Sequence, residues 1–119
     1  MIDAASTEAA DEYVQTVLKL YWQLPETPLK ANASDRQTAR RFRARGIELA
    51  TVETALLLGS LRRLSRAPDV PPLSPIRSLA YFQPVIEEIL SNPVSSDYLK
   101  YLQEKMQSLC SRGKIDHRR

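Results

Sequence analysis

Residues 55–61, ALLLGSL, constrain this chain more than any other stretch. Read as part of a helix starting near residue 49, they put apolar side chains around almost the whole circumference. Counting its flanks, the apolar residues of this helix are Val52, Ala55, Leu56, Leu57, Leu58, Leu61 and Leu64. A helix that is apolar all round must be surrounded by other elements, so this third helix is expected to be the centre of the core. Gly59 costs roughly 1 kcal/mol of helix propensity relative to alanine. A close helix crossing at Gly59 is the expected return.

The residues just upstream are the opposite in character. Residues 34–66 hold eight of the chain's twelve arginines, set against Asp35, Glu48 and Glu53, a balance of +5. Ser34 and Gln37 have the spacing of a capping box, and Gly46 suits the left-handed residue that ends a helix. A second helix is therefore expected from residue 34 to about 45. At 100° per residue, Thr38, Ala39 and Phe42 share one narrow apolar face. Arg36, Arg40 and Arg43 form a ridge on one side of that face, and Arg41 and Arg45 form a second ridge on the other.

The remaining segments supply neighbours for the third helix. Ser6 or Thr7 can cap a first helix whose apolar face is Tyr13, Val14, Val17, Leu18, Leu20, Tyr21 and Leu24, stopped by Pro25. Residues 67–75, with four prolines, read as extended polyproline-like chain. Ser74 and Pro75 have the form of a cap and first helical residue. Ile76, Leu79, Ala80, Phe82, Val85, Ile86, Ile89 and Leu90 then recur at helical spacing, with a kink or break expected at Pro84. A last helix, capped by Ser95 or Ser96, ends near Ser111 and carries Leu99, Leu102, Met106 and Leu109 at the spacing of a helix-pair seam.

The fold class expected is all-α, a single bundle of about five helices over residues 1–111. The basic stretch RGKIDHRR, residues 112–119, is expected to be a disordered tail. With 119 residues and 43% apolar composition the chain can build a core without staples, and no stretch alternates long enough to be a strand. Cys110 is alone, the first residues lack a basic and an apolar signal region, and no eighteen apolar residues run together. A cytoplasmic protein with no membrane partner is the expectation.

The net charge of +3 is unevenly spread. Residues 1–33 balance to −3, residues 67–111 to −2 and residues 112–119 to +3, so the arginine segment is a basic band between acidic flanks. Such a band can hold a polyanion or be neutralised internally by neighbouring acids. The phosphate-binding candidates are Arg36, Arg40, Arg41, Arg43 and Arg45, extended by Arg62, Arg63 and Arg66. They would give salt-dependent, largely sequence-independent binding of DNA or RNA.

Residues 42–55 invite comparison with a helix-turn-helix. However, Phe42 stands where alanine is wanted, and the would-be recognition helix is too apolar to leave a polar face for a groove. Catalytic, metal and cofactor sites find no support. His117 is the one histidine, Cys110 has no evident base, and Glu87 and Glu88 point about 100° apart on a helix. Pro72, Pro75 and Arg77 fit the short P-x-x-P-x-R pattern of SH3 ligands.

The Gly46-Ile47 turn, the Val52-Glu53-x-Ala55 helix start and the segment Ile76-x-Ser78-Leu79-x-Tyr81-Phe82 carry a resemblance that spans about half the chain. In these the protein resembles small helical modules of bacterial, plasmid and phage replication proteins, such as the DnaD-type C-terminal domain. The resemblance implies an accessory role in replication or mobile-element biology through DNA or partner-protein contacts, and with no catalytic residues evident a non-enzymatic module is the expectation. The rival expectation is a helical protein-interaction adaptor, joined to a partner or to a second copy through Leu99, Leu102, Met106 and Leu109.

Overall fold

The computed structural model describes the backbone of residues 4–24, 27, 33–65, 71 and 76–111, with side chains from Asp11 to Leu109. Among these residues the architecture is an all-α bundle: α1 (Ala4–Trp22), α2 (Ala33–Ala44), α3 (Leu49–Leu64), α4 (Gln83–Ser91) and α5 (Ser96–Ser111), with a 3-10 turn, Leu79–Phe82, leading into α4. α3 packs against α1, α4, α5 and the 3-10 turn, which makes it the central helix. α2 lies outside it, packed on α1 and the 3-10 turn. No helix among the described residues is long and apolar enough to cross a membrane.

The core follows the helical spacing closely. Val14, Val17, Leu18 and Tyr21 of α1, Phe42 of α2, Val52, Ala55 and Leu56 of α3, Phe82 of the 3-10 turn and Ile86 and Ile89 of α4 form one buried cluster. Leu57 and Leu58 are only half-buried, so α3 is not covered on every side. Gly59 lies against the Phe82 side chain of the 3-10 turn. A Cβ built there would stand 2.9 Å from both Cδ1 and Cε1 of Phe82, so the bare glycine lets the Phe82 ring lie directly on the helix.

The α2–α3 turn forms as its residue types require. Gly46 has φ +75°, the Ile47 N–H donates to the Phe42 carbonyl at 3.1 Å, and the Gly46 N–H donates to the Arg43 carbonyl at 3.0 Å. These are the two bonds of a Schellman ending, and its usual apolar contact is supplied by the buried pair Phe42 and Ile47. The Tyr13 hydroxyl donates to the Ile47 carbonyl at 2.6 Å and ties the turn to α1. At the other end of α1 the Thr27 hydroxyl reaches the carbonyls of Tyr21 and Leu24, at 3.1 and 2.8 Å, satisfying acceptors that a helix end leaves open.

Helix starts depart from expectation in three places. α1 begins at Ala4, so neither Ser6 nor Thr7 is its cap. α2 begins at Ala33, which places Ser34 inside the first turn, its carbonyl accepting from the Thr38 hydroxyl at 3.0 Å. The chain at Ile76 to Ser78 is not helical, and the cap of the next element is Ser78, in extended conformation with its hydroxyl accepting from the Ala80 N–H at 3.2 Å. Ser74 and Pro75 lie outside the described residues, as do Pro72 and the stretch 112–119. The break at Pro84 is present. The 3-10 turn ends at Phe82, and Pro84 sits in the first turn of α4, where a missing N–H costs nothing. α5 starts as expected, with the Ser95 hydroxyl accepting from the Tyr98 N–H.

Two buried tyrosines make the fold sensitive to alkali. Burial pushes the Tyr13 phenol from its usual 10.0 up to about 12, and burial reinforced by the nearby Asp35 charge does the same to Tyr21. Their folded forms hold protons that the unfolded chain releases above pH 10. Their contribution to stability is therefore complete below pH 10 and is lost as pH rises toward 12. In an ultraviolet titration of the five tyrosines, two are expected to ionise late and together with unfolding. Five phenols titrating together near pH 10 with helicity intact would contradict this.

Candidate nucleic-acid interface

α2 is amphipathic in an unusual way, because its buried stripe contains a carboxylate. Asp35, Thr38, Ala39 and Phe42 face inward, at the i, i+3, i+4, i+7 spacing of one helix face. Every arginine of the helix is consequently turned outward. Asp35, only 1% exposed, accepts a hydrogen bond from the Leu79 N–H at 2.9 Å and so fastens the outer helix to the 3-10 turn. In the sequence Asp35 counts only as an acid offsetting the arginines. Its spacing from Ala39 and Phe42 is the signal that places it inside.

Seven of the eight candidate arginines are described, and they divide into four groups. Arg36, Arg40 and Arg41 are exposed, with no ion pair or hydrogen bond to their side chains among the described residues. Arg43, also exposed, lies with its guanidinium carbon 5.9 Å from the centre of the Tyr13 ring, within cation–π range. Arg45 and Arg62 are already engaged. Arg45 gives Glu87 of α4 two parallel bonds, Nη1–Oε2 at 2.6 Å and Nη2–Oε1 at 3.2 Å. Arg62 holds Glu88 in the same two-pronged way, with Nη1–Oε2 at 3.0 Å. In both pairs the side-chain hydrogen bond holds the carboxyl below the ordinary range and raises the guanidinium.

Arg63 departs from expectation. It follows Leu56 and Ser60 on the inner face of α3 and is only 9% exposed. Its guanidinium carbon lies 5.3 Å from the Tyr81 ring centre, and its Nη1 donates to the Tyr81 hydroxyl at 3.2 Å. A buried arginine needs such partners, and this one is structural; it does not extend the surface patch. Arg66 lies outside the described residues. The basic surface thus narrows from two helices to one, the outward face of α2 with Arg36, Arg40, Arg41 and Arg43.

The seam on α5 is occupied within the chain. Leu102 is 2% exposed and buried, Met106 packs on the core cluster, and Leu99 and Leu109 are half-buried. The neighbour along this seam is α3, with the Gln103 amide donating to Glu53 at 2.8 Å. Leu102 and Met106 are thus taken up within the bundle, while Leu99 and Leu109 keep part of their surface open.

Concave surface adds little chemistry. A groove of about 380 Å³ lies between the start of α3, the end of α4 and the start of α5, and one of about 240 Å³ between α1, α3 and α5. Each has a single ionisable side chain in its described lining, Glu48 in the first and Glu53 in the second. Cys110's side chain and His117 lie outside the described residues. In comparisons with protein-family models, curated proteins and solved structures, nothing matches the chain.

Proposed function

We propose that this protein is a non-enzymatic module that binds the phosphate backbone of a nucleic acid through the outward face of α2, in an accessory role of the replication or mobile-element type. One observation carries this reading. Arg36, Arg40 and Arg41 stand in solvent on one rigid helix with no acidic partner among the described residues, although α4 carries two glutamates that hold other arginines. Guanidinium groups left open on a fixed scaffold suit phosphate oxygens, which they grip two at a time. α3 lies too deep in the bundle to enter a groove, so binding should follow charge and not base sequence.

Titration of fluorescent duplex and single-stranded DNA at several salt concentrations tests the proposal. Changing Arg36, Arg40 and Arg41 together to alanine is expected to weaken duplex binding by roughly tenfold or more at low salt. It should also flatten the log–log salt slope by about 0.9 for each phosphate that the helix no longer neutralises. Lys100 and Lys105 on α5, changed to alanine, serve as the charge control. An absence of binding at low salt, or a triple variant no worse than the lysine control, sinks the proposal.

A further inference from the structure

Arg41 and Arg45 are four residues apart at the end of α2, hence neighbours on one side of the helix, with Cβ atoms about 5–6 Å apart. Arg41 is open; Arg45 is held by Glu87 through both terminal nitrogens, at 2.6 and 3.2 Å. A carboxylate and a phosphate offer a guanidinium fork the same pair of acceptor oxygens. Glu87 therefore occupies the position that a phosphate lying along the Arg41–Arg45 ridge would take. The two side chains are about half exposed, 46% and 54%, so water and salt screen the pair and exchange for another anion is easy. Exchange needs no refolding either, because α4 is anchored independently by Ile86 and Ile89 in the core.

We infer that Glu87 is a built-in competitor for the nucleic acid: it occupies Arg45 in the free protein and yields it to a backbone phosphate on the Arg41–Arg45 side of α2. The inference rests on the phosphate-binding reading above and adds how that site is tuned. Glu87 sets the salt range over which the protein binds, and it suppresses weak association with sparse anions that cannot displace it. Glu88 provides the comparison, since it makes the same type of pair with Arg62 on a different helix, α3.

Anisotropy titrations of the full chain with a fluorescein-labelled DNA duplex, across a salt series, test this. Glu87→Gln is expected to raise affinity roughly threefold to tenfold and to leave the salt slope unchanged, because Arg45 meets a phosphate in the complex of either protein. Glu88→Gln, with the same change in net charge, is expected to gain distinctly less and to leave the slope unchanged. In an Arg45→Ala background Glu87→Gln should gain no more than Glu88→Gln does in the wild-type background. A Glu87→Gln gain no larger than that of Glu88→Gln, or one that still exceeds it without Arg45, overturns the inference while wild-type binding leaves the phosphate reading intact. If wild type and every variant fail to bind at low salt, both fall together.

Discussion

Replacing Gly59 with valine is expected to lower stability by about 2–3 kcal/mol, the upper part of the range for overpacking a well-filled core. The added Cβ alone would approach two carbons of the Phe82 ring to 2.9 Å. That ring has little freedom to retreat. It is fully buried, with Tyr21 edge-on at 6.2 Å between ring centres and Tyr81 edge-on at 5.1 Å. Helix propensity acts the other way by a fraction of the ~1 kcal/mol that separates glycine from alanine, and it is too small to win. Urea denaturation reads the loss as a lower midpoint with an unchanged slope. The clash also predicts coupling: combined with Phe82→Leu, which removes the ring edge, Gly59→Val should cost at least about 1 kcal/mol less than the sum of the single changes. A Gly59→Val protein as stable as wild type would show that α3 and the 3-10 turn do not meet this closely.

Asp35→Ala is expected to cost about 2–4 kcal/mol. The substitution removes a buried carboxylate that caps the 3-10 turn from 44 residues away, and it leaves the Leu79 N–H buried without that acceptor. A hydrogen bond to a charged group contributes about 1.5–3 kcal/mol, and an orphaned buried donor costs about 1–3 kcal/mol on its own scale; the two overlap. Asp35→Asn keeps an acceptor oxygen in place and should cost less than half as much. Hydrogen exchange gives a local readout, because the Leu79 amide should lose protection in the alanine variant before the amides of α3 do. An alanine variant within about 0.5 kcal/mol of wild type, with Leu79 still protected, would contradict the capping role. Since Asp35 also fixes α2 against the bundle, this variant should blur the arginine face without changing any arginine.

Much of this fold was legible because helical spacing is a local property. The inward faces of α1 and α2, the stop at Gly46, the crossing at Gly59 and the break at Pro84 all follow from residue types within one or two turns of each other. Legibility failed where a residue's partner comes from a distant part of the chain. Arg62 and Arg63 are adjacent in sequence and look alike, yet one pairs with Glu88 at the surface and the other lies under Tyr81. A 100° step between them carries no information about which side α4 will occupy. The helix starts misread at Ser6, Ser34 and Ser74 have a similar origin, since several serines and threonines near these starts all satisfy the same local rule.

The sequence by itself determined an all-α chain with a central third helix and a basic second one, because periodicity and net charge are additive along the chain. Only the tertiary structure decided which charges are open. Whether a guanidinium faces water, a glutamate or an aromatic ring depends on the packing of helices far apart in sequence. The geometry of α4 against its neighbours satisfies Arg45 and Arg62, the 3-10 turn covers Arg63, and Arg36, Arg40 and Arg41 are left facing solvent.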